Sequence, residues 1–231
     1  MDSLLARYPP GYIEVLGSIT VQLLYLVFGL LIEPFRPAEY HTKRATSSKM
    51  ILLSLRNHIF VTLLHAAYVF INSGHSVLTK TFDSPYTPPT LTSVIRDLAI
   101  ALIFRDVIFW TIHRLWHLPF IYEHVHAKHH EVTHPADHHV WTISYMSVTD
   151  FVFLYGLPVV AVAKTLEMDI LTTLVFAFIS AAGEQVKLVW GDEAHDEHHL
   201  DLGVNYGVYG FMDWVCGTTG CKTQGGKGKG E

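Results

Sequence analysis

Residues 105–139 read RDVIFWTIHRLWHLPFIYEHVHAKHHEVTHPADHH and contain nine of the sixteen histidines in the chain. Three more, His195, His198 and His199, lie in the sequence EAHDEHH at 193–199. Imidazole is the side chain that most often binds metal ions, and an ionisable side chain near a membrane is costly without a partner. The two histidine clusters together therefore predict a polynuclear metal site in a membrane-embedded protein.

The composition points to a membrane protein. Half of the 231 residues are hydrophobic and only 16% are charged, whereas soluble domains carry about 25% charged residues. The formal net charge of −5 predicts no nucleic-acid partner. The two cysteines, Cys216 and Cys221, match no zinc-binding pattern, and we expect them to be reduced thiols.

Apolar segments divide the chain into candidate helices. A bilayer core of about 30 Å requires about 20 apolar residues in helical form. Five segments approach this length: 12–32, 50–72, 94–117, 147–163 and 168–190. The predicted fold is an all-α integral membrane protein, a bundle of about four to five transmembrane or membrane-dipping helices.

Charge near the segment ends predicts the topology. The loop 33–49 is the most basic short loop, and lysine and arginine favour the cytosolic side. Two crossings then return the chain to that side at the histidine stretch, and segments four and five form a hairpin out and back. Both histidine clusters are thus predicted to form a cytosolic histidine-rich cap. We divide the chain into membrane helices and loops at 1–93, a histidine-box region at 94–219 and a flexible Gly/Lys tail at 220–231.

The histidine spacings predict shared helix faces. His113 and His117 are four residues apart, so their imidazoles lie one turn apart on one face. The other two boxes repeat the pattern His-x-x-His-His. Eight imidazoles in three boxes could surround two metal ions, and they are our candidate ligands: His113, His117, His126, His129, His130, His195, His198 and His199. We predict that His124 is a surface or packing histidine.

These motifs resemble those of the fatty acid hydroxylase/sterol desaturase superfamily of membrane oxygenases. The matching sequences are Asp106, HRLWH at 113–117, HAKHH at 126–130 and HDEHH at 195–199, followed by NYG at 205–207, Asp213-Trp214 and Gly217-Thr218. The resemblance covers 94–219.

The resemblance implies an endoplasmic-reticulum enzyme with a dinuclear iron centre. Such an enzyme activates dioxygen to hydroxylate or desaturate a lipid-like substrate: a sterol, a fatty acyl or sphingoid chain, or a polyketide or terpenoid specialised metabolite. Its electrons come from NAD(P)H through a reductase and cytochrome b5. No cytochrome b5 domain is visible in the sequence, so the donor is expected to be a separate protein.

The sequence departs from the family pattern at two places. Ser147 and Asp150 stand where relatives commonly carry a histidine and a glutamate, and 181–194 lacks the histidines that often precede the last box. Glu184 is a candidate substitute ligand because it is an ionisable residue in an apolar helix. The additional histidines that could fill vacated positions are His134, His138 and His139. Asp106, two turns before His113, could orient an imidazole or pair with Arg105 or Arg114.

Two other functions are compatible with the sequence. Imidazole also binds zinc, so a divergent member with a zinc or incomplete site could perform non-oxidative chemistry. A metal-binding protein that is not an enzyme is the other alternative. The aromatic residues after the last box could form a pocket wall or an interfacial belt: Tyr206, Tyr209, Phe211 and Trp214.

Overall fold

The computed structural model describes residues 8–36, 48–77, 87–133, 137, 139–190 and 193–220. Helices and irregular segments account for all of these residues, and none of them lies in a strand. The predicted all-α fold is therefore confirmed. The long helices in the first half are α1 (Pro10–Ile32), α2 (Ser48–Ile71) and α3 (Leu91–Trp116).

The second half combines two long helices with short ones. The short helix α4 (Pro119–Ile121) leads into a π-helical turn, Tyr122–His126, and a 3-10 turn, His129–Glu131. The long helices are α5 (Val148–Thr165) and α6 (Ile170–Trp190). Two further short helices, α7 (Glu193–Leu200) and α8 (Phe211–Cys216), complete the described chain.

Four of the described helices are long and apolar enough to cross a membrane: Pro10–Phe35, which extends α1, together with α2, α5 and the Ile170–Lys187 part of α6. The protein is thus a multi-pass membrane protein. α3 is as long as these helices, but its five charged residues keep it outside this set: Arg96, Asp97, Arg105, Asp106 and Arg114.

Local sequence explains where several helices begin and bend. α3 starts three residues before the predicted boundary because the Thr90 hydroxyl accepts a hydrogen bond from the backbone N–H of Ser93. Within α5, Pro158 has no N–H to donate to the carbonyl of Leu154. The preceding turn, Val152–Gly156, is π-helical, as often happens where the hydrogen-bond ladder is interrupted.

The helices pack through an apolar core and through buried polar contacts. Ala101 of α3, Val162 and Ala163 of α5 and Phe176 of α6 are fully buried together with Met168. Asn57 of α2 donates to the backbone carbonyls of Ser144 and Met146 at 2.9 and 3.1 Å. These bonds hold the segment between the histidine stretch and α5 against α2.

One end of the bundle carries the histidines. The carboxylate of Glu33, just after α1, accepts a hydrogen bond from the backbone N–H of Val140. Ser54, near the start of α2, donates to the carbonyl of Trp141 at 2.7 Å. The end of α1 and the start of α2 therefore lie beside 139–146, which connects the second histidine box to α5.

Candidate metal centre

Eight imidazoles from three separate segments meet at this end of the bundle. They come from the end of α3 and the residue after it, from the turns after α4, and from α7. They form two groups, within each of which the candidate ligand atoms lie within 4.8 Å of one another. The five-histidine group contains His113, His117, His126, His130 and His198, and the three-histidine group contains His129, His195 and His199.

The nitrogen separations match those between ligands on one metal ion. In the five-histidine group, Nε2 of His113 lies 2.9 Å from Nε2 of His126 and 3.4 Å from Nε2 of His117. In the other group, Nε2 of His199 lies 3.0 Å from that of His195 and 3.3 Å from that of His129. Nitrogens bonded to one metal at about 2.1 Å are about 3.0 Å apart at right angles and about 3.4 Å apart in a tetrahedron.

The two groups are neighbours because two of the three segments contribute histidines to both groups. Consecutive residues on a helix are about 100° apart, whereas residues i and i+4 differ by only about 40°. His195 and His199 accordingly share one group while His198 joins the other. His126 and His130 are likewise divided from His129, although they lie in a π-helical and a 3-10 turn and not in a regular α-helix. The rings of His130 and His199 have centroids 4.4 Å apart.

Hydrogen bonds behind the rings orient three of the ligands. Nδ1 of His113 lies 2.7 Å from the carbonyl of Tyr206, and Nδ1 of His198 lies 2.6 Å from that of Val204. Nδ1 of His126 lies 2.7 Å from a carboxylate oxygen of the fully buried Asp150. An imidazole that donates through Nδ1 leaves the lone pair of Nε2 for a metal.

The segment from Asn205 to Thr218, which includes α8, supplies the carbonyl of Tyr206. Buried carboxylates hold this segment in place. Asp213 accepts hydrogen bonds from the backbone N–H groups of Tyr206 and Gly207 at 2.9 and 2.7 Å. A Cβ at Gly207 would lie 2.7 Å from the Asp213 carboxylate, so this close approach requires glycine. Asn205 has a φ of 54°, and its side chain donates to the carbonyl of Ala194 in α7. The NYG…D…GT motif therefore positions the carbonyl behind His113.

The chemistry of the donor set fits a metal ion. Both ring nitrogens of His130 and Nε2 of His198 are buried without a hydrogen-bond partner among the described residues. Unpaired buried polar atoms are uncommon, and a metal ion would satisfy them. Burial lowers the pKa of His117 to about 3, with the neighbouring His198 adding to the effect. Burial and neighbouring imidazoles also lower the pKa of His126, His129 and His130. The rings are therefore neutral, as metal ligation requires.

Both groups border a small cavity of about 60 Å³. Its walls include His113 and His126 from one group and His129, His195 and His199 from the other. Its walls also include Leu154, Tyr155 and Glu184. The cavity thus offers a confined space next to both groups of candidate ligands.

The remaining predicted residues lie outside the two groups. Glu184 accepts hydrogen bonds from Arg105 and from the hydroxyl of Tyr155. It lies beside Arg105 because a buried guanidinium requires a counter-charge. Asp106 accepts from the backbone N–H groups of Tyr209 and Met212, so it orients the loop instead of an imidazole. Nδ1 of His139 accepts from the backbone N–H of Trp141. His134 and His138 lie outside the described residues.

Sequence reasoning missed the residues that orient the ligands. Asp150 was noted only as a departure from the family pattern, although an ionisable residue at the start of an apolar helix could have suggested a buried partner. The carbonyls of Tyr206 and Val204 carry no sequence signal, because any residue presents one. The aromatic residues after the last box differ in burial. Tyr206 is buried beside His113, whereas Trp214 is 76% exposed.

Comparison with known proteins identifies the family to which this centre belongs. A family model described as fatty acid hydroxylase matches residues 98–218, which include all eight histidines. The chain belongs to the fatty acid hydroxylase/sterol desaturase superfamily, as its histidine boxes indicated. No solved structure gives a significant match.

The similar curated proteins act in lipid chemistry or carry the family's domain name. Fatty acid hydroxylase domain-containing protein 2 of Homo sapiens is 33% identical over 140 residues, which cover 56% of this chain and 40% of the human protein. Delta(7)-sterol 5(6)-desaturase erg3C of Aspergillus fumigatus is 25% identical over 238 residues, covering 85% of this chain and 71% of the desaturase. A very-long-chain aldehyde decarbonylase of Oryza sativa is 27% identical over 148 residues, 56% of this chain and 54% of that protein. The chain thus spans less than half of the human relative.

Proposed function

We propose that the protein is a membrane-bound non-haem di-iron oxygenase that hydroxylates or desaturates a hydrophobic substrate. The observation that carries this proposal is the division of eight buried or half-buried imidazoles into two adjacent groups beside one cavity. The five-histidine group would hold one iron and the three-histidine group the other. Residues 94–219 would then form the catalytic region, with 1–93 supplying further membrane helices.

Iron bound in these groups would supply the activation of dioxygen that attack on an unactivated C–H bond requires. The residues of the chain would hold the imidazoles in place through Tyr206, Val204 and Asp150. The apolar side chains of Val132, Met146 and Leu154 line the cavity and would exclude water from it.

The substrate class follows from the surroundings of the site. The cavity lies next to a bundle with four candidate spans, and a lipid substrate would reach it from the bilayer. The names of the relatives include a sterol desaturase and a very-long-chain aldehyde decarbonylase. We therefore keep the substrate as a sterol, a fatty acyl or sphingoid lipid, or a polyketide or terpenoid metabolite.

We further propose an endoplasmic-reticulum location with the histidines on the cytosolic side. The basic loop 33–49 follows the end of α1, which lies beside 139–146 at the histidine end of the bundle. Basic loops favour the cytosol. Electrons would come from NAD(P)H through a separate reductase and cytochrome b5, which act from that side.

A second function is favoured by the three-histidine group. Three histidines with a further open position are also a ligand set of catalytic zinc sites. A zinc-bound member would perform non-oxidative chemistry and would require neither dioxygen nor reductant. Dependence of turnover on dioxygen and reductant therefore separates this function from the oxygenase.

Metal content and activity of designed variants test the proposal. Protein purified in detergent from iron-supplemented cells is expected to contain about two irons per chain. His129→Ala removes one of three ligands and is expected to leave about one iron, because the depleted group keeps too few donors to hold a metal. His198→Ala removes one of five ligands and is expected to weaken iron binding less. Both variants are expected to lose oxygen- and reductant-dependent conversion of a lipid extract.

His124→Ala is the matched control, since His124 lies in the same segment but is exposed and belongs to neither group. It is expected to keep the iron and the activity of the unmodified protein. One metal or none in the unmodified protein, with the same content in all three variants, would contradict the di-iron proposal. Two zinc ions with turnover independent of dioxygen would support the second function instead.

A further inference from the structure

A second, larger cavity lies inside the helical bundle. It has a volume of about 360 Å³, is partly open, and lies between α1, α2, α5 and α6, the four candidate spans. Most of its wall is apolar, with Val21 of α1, Leu64 of α2, Val160 of α5 and Leu174 of α6 among the lining residues. An apolar cavity of this kind within membrane helices fits a hydrocarbon chain.

The wall also carries polar side chains, among them Gln22 of α1, His58 of α2 and Arg105 of α3. Arg105 is the one with a permanent charge. The residue is 1% exposed. Its Nη2 donates to Glu184, but Nε and Nη1 have no hydrogen-bond partner among the described residues. The rings of Phe109 and Tyr209 flank the guanidinium, with centroids 5.5 and 5.7 Å away. A buried cation with unused donors is costly unless a ligand accepts from them.

Arg105 lies where the two cavities approach each other. The hydroxyl of Tyr155 donates to Glu184 at 2.6 Å, and Tyr155 lines both cavities. Glu184 lines the smaller cavity and Arg105 the larger one. Arg105 also precedes His113 by eight residues, which is about 12 Å along a helix. A group bound to Arg105 would thus be held about two helical turns from the candidate metal ligands.

The charge of this junction selects the kind of group that can bind. Arg105 and Glu184 neutralise each other, and both oxygens of Glu184 already accept hydrogen bonds. An anionic ligand would therefore add an uncompensated charge to a buried, largely apolar site. An uncharged oxygen can instead accept from the unused N–H groups without that cost. Nε2 of His58, another buried atom without a partner among the described residues, lines the same cavity.

We propose that the larger cavity binds a single-headed lipid whose uncharged oxygen function, a hydroxyl or carbonyl, accepts hydrogen bonds from Arg105. The hydrocarbon part lies between α1, α2, α5 and α6. Arg105 is in this view a positioning residue that sets the lipid in register with the metal centre. The inference rests on the proposed function, since it names the substrate class of that site, but lipid binding can be measured without turnover.

Photo-crosslinking with a defined lipid tests the proposal. The full chain is reconstituted in nanodiscs of a single phosphatidylcholine and kept without dioxygen and reductant. The probe is hexadecan-1-ol carrying a diazirine in mid-chain, and peptide mass spectrometry locates the crosslinks. We expect crosslinks to the lining residues of α5 and α6, such as Val160 and Leu174. Unlabelled hexadecan-1-ol and hexadecanal should compete about tenfold more strongly than hexadecane, the ratio for one hydrogen bond to a charged group.

A paired variant isolates the head-group contact. Replacing Arg105 alone would leave Glu184 buried without its counter-charge, so Arg105→Met is combined with Glu184→Met, because apolar replacement of a whole buried ion pair is usually tolerated. This variant should still be crosslinked but should no longer distinguish alcohol from alkane. The matched control combines Arg96→Met with Asp97→Met, which removes an exposed ion pair of the same helix outside the cavity. It should keep the tenfold preference.

Three results would overturn the inference: equal competition by alcohol and alkane in the unmodified protein, a preference that survives in the paired variant, or strongest competition by hexadecanoate. Iron content, measured on the same samples, keeps this test separate from that of the proposed function. Lipid preference without two irons would leave the binding site standing and reject the oxygenase. Two irons without lipid preference would reject only the binding site.

Discussion

Individual imidazoles are held in the candidate metal centre by different kinds of acceptor. His113 and His198 are oriented by backbone carbonyls, whereas His126 is oriented by the carboxylate of Asp150. A carboxylate behind the ring makes the metal-binding nitrogen more basic than a carbonyl does. Asp150 is a buried carboxyl group in direct contact with a candidate ligand of the five-histidine group.

Replacing Asp150 by asparagine is therefore expected to weaken metal binding without removing a ligand. The amide keeps the size of the side chain but loses the charge, and it can present its NH2 group to Nδ1 of His126. Loss of such a partner typically costs a factor of about 10–100 in metal affinity. Iron dissociation into a competing chelator measures the effect. Asp97→Asn, which changes a half-buried aspartate of α3 that pairs with Arg96 and belongs to neither histidine group, should leave the affinity unchanged. Equal affinities of the two variants would show that the Asp150 carboxylate has no role.

Which histidines meet was predictable at the scale of residues, whereas their division into two groups was not. The spacings predicted that the histidines of each box share one helix face. The structure gathers the same eight histidines but divides each His-x-x-His-His box between the two groups. Which histidine joins which group depends on how three distant segments meet. The carbonyls behind His113 and His198 depend on the path of the loop after α7, which no side-chain pattern encodes.

Among the structural elements, the loop 201–210 and α8 connect the ends of α3 and α7. Asp106 of α3 accepts from two backbone N–H groups of this region, at Tyr209 and Met212. Asp213 of α8 accepts from the indole of Trp110 in α3 and from the hydroxyl of Thr218. Two buried carboxylates thus fix the loop that presents a carbonyl to His113.

Asp213→Asn is expected to loosen this element. Both carboxylate oxygens of Asp213 accept hydrogen bonds. In asparagine an NH2 group replaces one of these oxygens, so it must face either the N–H of Gly207 or the N–H of Tyr206 and the hydroxyl of Thr218. Buried donors left without an acceptor cost about 1–3 kcal/mol each. A loss of about 3 kcal/mol lowers the midpoint of thermal unfolding by roughly 6–12 °C in a chain of this size.

Thermal unfolding in detergent, followed by intrinsic fluorescence, measures this effect. Asp201→Asn is the matched control, because Asp201 caps the exposed backbone N–H of Gly203 in the same loop. It should shift the midpoint by less than about 2 °C, as expected for a surface substitution. An equally small shift for Asp213→Asn would mean that the carboxylate does not hold the loop.

The elements themselves were predictable where apolar length decides them. The segments at 12–32, 50–72 and 168–190 agree with α1, α2 and α6 to within a few residues. The histidine stretch after α4 was expected to be a regular helix but is divided into a π-helical and a 3-10 turn. This division turns His129 away from its neighbours, and it follows from the contacts of the imidazoles with other segments.

The molecule as a whole consists of a helical bundle and a cap that the bundle supports at one end. The bundle has its own apolar core, in which Phe176 and Val162 are fully buried. The cap instead brings together eight imidazoles, and some of them, such as His130 and His198, have buried nitrogens without a partner among the described residues. The cap should therefore depend on bound metal far more than the bundle does, because binding free energy adds to the stability of whatever forms the site.

Removal of the metal is expected to open the cap while leaving the bundle closed. Metal at one hundred times its dissociation constant contributes about 2.7 kcal/mol, and in this protein that contribution falls on the segments around 113–130 and 195–206. Hydrogen exchange of the iron-loaded and chelated protein in nanodiscs, read by mass spectrometry, measures the difference.

Amides of these segments should exchange about one hundred times faster after chelation, whereas those of α1 and α2 should not change. His129→Ala should reproduce the change around 195–206 before any chelator is added, while His124→Ala should behave as the unmodified protein. Uniform acceleration across cap and bundle would show instead that the two parts unfold as one unit.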